Sequence, residues 1–519
     1  MVKTKTKTHA SFAAGAVLLA ISALVVKLIG VCYKIPLVHL LGAQGMGYFN
    51  AAYDVYALLC VISTTGLPVA VSVVGSRYPR AQRRAYLLSL AVFAFLGMLG
   101  AASVFIFADR IALWIGAQET AQSLRFIAPA VLFICLSGAF RGYYQAKRNM
   151  TPTAVSQVIE AAGKLLFGLL FAHIAIRLGK GTATVSAFAV LGLSIGTLLC
   201  LIYLVLCNKS ECNMKQHNEL SSKLLIKEIM IVAFPVTLGA VLTGLSKVID
   251  LSLIMRRLQD SGIEQGAAVT MYGCYTSMVV PLFNVVPALF TSIAMPLTPH
   301  LGHAITNKDH IGQRYILNTA FRWGIAISIP ASLGMAMISK QILELLFNDA
   351  QEVQTAVPLL IIISIAIPAS CMITATSAVL QAYGRAWQPM ISTALGCIVK
   401  ITVLYILCGM PAVGILAAPI STLVCCTVTA IINLYFVAKA APAFDFANHV
   451  VYALAASALA IGIAAIVQRL LPAHIMMSAI NVGIIIITAI LLYLPVVFLC
   501  GLVRISDFKS IISNKEKDT

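Results

Sequence analysis

Eight ionisable side chains stand inside long apolar stretches of the sequence. Five are basic, Lys27, Lys34, Lys164, Lys247 and Lys400, and three are acidic, Asp54, Glu160 and Asp250. A charge facing lipid near the middle of a bilayer costs at least a few kcal/mol, so such groups must face protein or water. Lys27 and Lys34 are two helical turns apart, ~10 Å along one face, which suits an extended anion better than a point ion. Glu160 and Lys164 have i,i+4 spacing, and Lys247 and Asp250 have i,i+3 spacing, so each pair can neutralise itself on its own helix. The plain alternative is that such pairs only admit polar groups into a helix bundle, and for Lys34, near a span end, that it snorkels to the membrane surface. Lys27, Lys34 and Lys400 have no acidic neighbour on the same helix face. The five lysines are therefore candidate substrate-binding residues, and the cationic excess should attract an anion. Phosphate is the chemical match for clustered ammonium groups. Asp54, Glu160 and Asp250 are the groups that a coupled cation would use. No catalytic or metal-binding constellation and no GxxxxGK[ST] loop occurs, so the chain reads as neither an enzyme nor an ATPase.

The elements that must position these charges are membrane-spanning helices. The chain has 519 residues, 60% hydrophobic and only 10% charged, far more apolar surface than a soluble core could bury. At about 20 residues per span, hydropathy with breaks at polar, Gly and Pro clusters predicts an all-α polytopic membrane protein with fourteen transmembrane helices. The expected organisation is a six-helix lobe over residues 1–207, a cytoplasmic linker over 208–224, a second six-helix lobe over 225–440, and two extra helices with a tail over 441–519. The formal charge of +18 falls mainly on alternate loops, for example Arg77, Arg80, Arg83 and Arg84. By the positive-inside rule this places both termini in the cytoplasm and makes the basic excess a topology signal, not a nucleic-acid footprint. Arg141 and Arg322 are counted among these loop charges. The 13 cysteines are scattered through apolar stretches without a CxxC pair and read as small buried hydrophobes.

The two halves share local features at a roughly constant offset. Gln145-Ala-Lys-Arg-Asn-Met-Thr-Pro152 leads into the span carrying Lys164, and Gln381-Ala-Tyr-Gly-Arg-Ala-Trp-Gln-Pro389 leads into the span carrying Lys400. Ile111-Ala-Leu-Trp and Ile342-Leu-Glu-Leu each precede the fourth span of a half. Six spans between copies make the repeat parallel, a pseudo-twofold about the membrane normal, with a central cavity and alternating access by rocking of the lobes. Helix breakers mark candidate hinges at Gly66 and Pro68 in the second span and at Pro287 and Pro296 in the eighth, with static kinks as the alternative.

The run from Tyr33 to Asn50, YKIPLVHLLGAQGMGYFN, followed by Ser63-Thr-Thr-Gly-Leu-Pro-Val-Ala-Val-Ser72, resembles the opening of the stage V sporulation protein B and polysaccharide-exporter group. That group includes lipid II flippases of the MurJ type and belongs to the multidrug/oligosaccharidyl-lipid/polysaccharide (MOP) exporter superfamily. The resemblance covers the whole chain. It implies two six-helix bundles whose basic cavity takes the pyrophosphate and sugar-peptide headgroup of a lipid-linked cell-wall precursor, while the polyprenyl tail stays in lipid. The implied partners are a lipid-linked oligosaccharide, the surrounding lipids and cell-wall synthesis enzymes. No cofactor is implied, and coupling is left among the membrane potential, Na+ and H+. Lys27 and Lys34 match the basic first helix of such flippases in kind, with Lys where Arg is often found, which gives up bidentate phosphate geometry. The competing function within the superfamily is a cation-coupled multidrug antiporter, which would rely on Asp54, Glu160 and Asp250. A non-transport scaffold for wall-synthesis enzymes would have no use for the buried charges.

Overall fold

The computed structural model describes residues 2–61, 67–78, 82–147, 149–209, 222–294, 297–347 and 349–441, with short pieces between 453 and 495. Gly66, Pro296, most of the 208–224 linker and most of the two C-terminal helices expected near 449–470 and 475–503 lie outside the described residues. Among the described residues the chain is helical and has no strand. Nine of these helices are long and apolar enough to cross a membrane, and a pair bent by 44° makes a tenth. That is a multi-pass membrane protein, as the composition requires.

The first long helix, α1 (Val2–Val61), is two arms joined at Gly42, where φ is 63° and ψ is 178°. That backbone conformation is essentially restricted to glycine. Along one straight helix residues 33 and 49 would be about 24 Å apart. The Tyr33 and Phe49 ring centroids are 6.2 Å apart, so the second arm folds back along the first. The glycines of the Gly42-Ala-Gln-Gly-Met-Gly47 run thus have separate uses. Gly42 turns the chain, while Gly45 lies against the Leu41 side chain and Thr182.

The remaining helices of the first half are α2 (Leu67–Arg77), α3 (Gln82–Ile106), α4 (Ala108–Ile115), α5 (Ala121–Ala146), α6 (Thr151–Arg177) and α7 (Thr182–Lys209). They are followed by α8 (Ser222–Asp260) and α9 (Gln265–Gly273). The chain separates into two compact units, residues 1–273 and 274–519. The lobes proposed from the repeat part at 208–224, so α8 and α9, which would open the second lobe, pack in the first unit against α1. Two glycine contacts hold α9 on α1. A Cβ on Gly47 would run into the Val269 carbonyl, and one on Gly273 into the Ala43 carbonyl. Small residues allow backbones to approach this closely where lipid supplies no hydrophobic drive for helix association.

Within the first unit, α8 also caps the end of α4. Gly116 closes α4 in the left-handed region at φ 85°, its N–H bonding back to the Ala112 and Leu113 carbonyls. The Trp114 carbonyl then accepts from Ser252 Oγ at 2.8 Å and from Arg256 Nε at 2.7 Å, and the Gly116 carbonyl accepts from Gln259 Nε2 at 2.6 Å. Ser252, Arg256 and Gln259 share one face of α8, and the guanidinium meets the negative end of the α4 dipole. Arg256→Ala is expected to cost about 1–2 kcal/mol by removing a charged donor from helix-end carbonyls. A lowered midpoint in a detergent thermal-unfolding assay would show it, with Arg256→Lys intermediate.

The second unit opens with a π-helical turn, Cys274–Val279, and α10 (Val280–Ala294), which continue the span begun by α9. The wide turn ends just before Pro281, which has no N–H to give a regular α-helical turn. Next come α11 (Leu297–Thr306), α12 (His310–Met337), α13 (Ser339–Leu346), α14 (Ala350–Ser364), α15 (Ile367–Ala382), α16 (Trp387–Cys408) and α17 (Ala417–Ala440). Asp309 and Asp349 cap α12 and α14 by accepting from backbone N–H groups of Gly312 and of Gln351 and Glu352. The eight-residue helices α4 and α13 occupy corresponding places in the sequence repeat, which thus extends to a short element as well as to the spans.

Candidate functional site

The predicted charges of the first unit form two groups. The first is built on α5, α6 and α7. Glu160 accepts from Lys164 Nζ at 2.5 Å through one carboxylate oxygen and from Arg141 Nη2 at 2.8 Å through the other. Arg141 also donates from Nε to Ser156 Oγ at 3.0 Å and from Nη2 to Cys200 Sγ at 3.2 Å. The three charged side chains are only 10–19% exposed. Their seat is made by glycines: a Cβ on Gly196 would lie 2.7 Å from Lys164 N and 2.8 Å from the Glu160 carbonyl, and Gly163 and Gly192 press against Gly196 and Gly168. A bulkier α7 could not come near enough to α6 to bury the triad. An aromatic cluster of Tyr86, Phe140, Tyr143 and Tyr144, with Cys200 and Leu204, packs beside Arg141.

The second group gathers where the arms of α1 meet α8 and α9. Tyr272 donates its hydroxyl to Asp54 Oδ2 at 2.6 Å. Asp54 lies within electrostatic reach of Lys34, Lys247 and Asp250. Lys34 and Asp54 are half-buried, Asp250 is buried and Lys247 is exposed. Lys27 is exposed on the first arm of α1. Between the groups runs an aromatic row on α1: Phe49 stacks on Tyr53 with centroids 6.3 Å apart, and Tyr53 and Tyr56 are 5.9 Å apart. Tyr53 is in electrostatic reach of Lys164, Glu160 and Asp54.

Of the other predicted residues, Lys400 is half-buried on α16 in the second unit, within reach of Cys425 and Cys426 on α17. Pro68 is buried near the start of α2, and a Cβ on Gly142 of α5 would meet its carbonyl at 2.9 Å. Pro287 is buried inside α10. Two arginines expected in loops are instead buried in helices, Arg141 in α5 and Arg322 in α12. Arg141 was missed because its carboxylate partner is on the next helix, and its sequence position near a span end reads as a loop charge. Among the described residues no group of three or more His, Cys, Asp or Glu could hold a metal ion.

The spans with their buried Arg141–Glu160–Lys164 triad make a multi-pass helical membrane bundle, and solved structures share its fold. A lipid II flippase MurJ in an inward closed conformation matches with a TM-score of 0.71 at 15% identity, covering 92% of this chain and 98% of that one. An inward-facing multidrug resistance MATE family transporter of the MOP superfamily matches with a TM-score of 0.63 at 14% identity, over 79% of this chain and 97% of that one. The chain belongs to the polysaccharide biosynthesis protein family, which matches residues 12–304, and the MatE family matches residues 275–406. Relatives in Bacillus subtilis (strain 168) include stage V sporulation protein B, 23% identical over 83% of this chain and 84% of that protein. Another is lipid II flippase MurJ, 22% identical over 75% of each.

Proposed function

We propose that this protein is a flippase that moves an undecaprenyl-pyrophosphate-linked cell-wall precursor, such as lipid II, from the inner to the outer leaflet by alternating access. The observation that carries the reading is the charge constellation of the first unit. Lys34, Arg141, Lys164 and Lys247 outnumber Asp54, Glu160 and Asp250 within membrane-spanning helices, which favours an anionic headgroup. Lys27 and Lys34 are its entry-side phosphate contacts, and Lys400 serves the second lobe. With both termini cytoplasmic, outward movement of a negative headgroup gains ~2.3 kcal/mol per charge per 100 mV, so the membrane potential supplies drive without ATP. The relatives named for stage V sporulation and lipid II support a wall-precursor substrate.

The test is the accessibility of lipid II in the outer leaflet of cells depleted of their own flippase, with and without this protein. Restored accessibility is expected. Its absence, with the protein inserted and folded, overturns the reading. The three carboxylates and the MATE-like fold favour one alternative, a cation-coupled drug antiporter. Drug efflux in place of lipid II exposure would establish it. Lys27→Ala and Lys34→Ala are each expected to abolish lipid II exposure while the amount of inserted protein stays unchanged; normal exposure with either variant removes that lysine from the site.

A further inference from the structure

Tyr53 is out of place for a spanning helix. It is 38% exposed, in the middle of the second arm of α1, amid charged groups. Trp114 and Trp387 are more exposed, but they lie at helix ends, where amphipathic rings anchor at the membrane surface. Tyr53 has no such position. The Lys164–Glu160 pair lies within its electrostatic reach, and Asp54 is the next residue in the chain. An open aromatic surface beside ionic groups is poorly hydrated apolar area, which a ligand with a matching apolar face would cover.

A pyranose ring has that form: one face of C–H groups and a rim of hydroxyls. Phe49, stacked parallel to Tyr53 at an interplanar angle of 7°, holds the ring in a fixed plane. Around it stand the complementary polar groups. Glu160 takes one cation on each oxygen, and Asp54 takes the Tyr272 hydroxyl. A carboxylate offers about four acceptor positions, so both retain capacity for sugar hydroxyls, while Lys164 has further protons to donate. Resting on the glycolipid reading above, we propose that Tyr53 is the floor of a sugar-binding subsite, on which a pyranose of the headgroup stacks with Asp54, Glu160 and Lys164 at its hydroxyl rim. The pyrophosphate is left to the lysines of the first arm. The subsite gives the protein a means to prefer a glycosylated carrier over the bare polyprenyl pyrophosphate.

The full-length protein in lipid nanodiscs would be titrated with lipid II and, separately, with undecaprenyl pyrophosphate, and occupancy read by native mass spectrometry. The wild type is expected to bind lipid II more tightly. Tyr53→Leu, which keeps apolar bulk but loses the ring, should weaken lipid II about fivefold or more and leave undecaprenyl pyrophosphate unchanged. Tyr53→Phe should retain the preference. Equal wild-type binding of the two lipids, or an undiminished preference in Tyr53→Leu, overturns the subsite and leaves the flippase reading intact. Parallel weakening of both lipids by Tyr53→Leu also overturns it, by showing a general structural role. Failure of the folded wild type to bind either lipid overturns the flippase reading and the subsite with it.

Discussion

Glu160→Ala is expected to lower the stability of the protein by about 3–5 kcal/mol, because it leaves two buried cations facing each other with no counter-charge. Arg141 and Lys164 each take one oxygen of that carboxylate, at 2.8 and 2.5 Å, with side chains only 10% and 19% exposed beside the glycine-mediated packing of α6 on α7. The loss would be read as a lower unfolding midpoint and less monodisperse protein in fluorescence-detected size exclusion. A triple replacement distinguishes scaffold from function. Arg141→Met, Glu160→Leu and Lys164→Met together remove all three charges with similar volume, and a buried ion cluster so replaced is commonly neutral or stabilising. The triple variant should therefore recover the wild-type midpoint. Transport should stay lost, since the anion-attracting lysine and the acceptor beside Tyr53 are gone. A stable triple variant that still exposes lipid II would reduce the triad to packing.

The site was legible in the sequence wherever the contact follows helical periodicity. Glu160 and Lys164 are one turn apart, and their pairing could be read without a fold. The opening motif was legible as a motif, but its physical use was not. Only the backbone shows that Gly42 turns α1 back, which brings Lys34 into reach of Asp54, a residue five and a half turns further on. Lys34 therefore has an acidic neighbour that no same-face inspection of one helix could find. Arg141 was hidden for a related reason: hydropathy places an arginine at the nearest loop, whereas a carboxylate on the next helix lets it remain inside. The spacing of Lys247 and Asp250 suggested a self-neutralising pair. In the fold both also act on Asp54, from a helix that sequence counting puts in the other lobe.

Gly273→Ala is expected to be among the most damaging single-methyl additions in the chain. An added Cβ there would penetrate the Ala43 carbonyl, backbone against backbone, so no rotamer change can relieve the clash and α9 must draw away from α1. Overpacking ordinarily costs about 1–3 kcal/mol, and a rigid obstacle puts this site at or above the top of that range. The shift would also displace Tyr272, the preceding residue, whose hydroxyl holds Asp54 at 2.6 Å. Loss of stability and loss of transport should therefore appear together. The comparison that isolates the cause is Gly334→Ala in α12, where nothing lies within 4 Å of the added methyl. At that position helix propensity alone applies, and about 0.5–1 kcal/mol of stabilisation is expected. If both substitutions prove neutral in thermal unfolding, the α1–α9 contact is looser than the structure requires. If Gly273→Ala alone destabilises, the two glycine contacts are what bring the carboxylate of α1 and the phenol of α9 into one site.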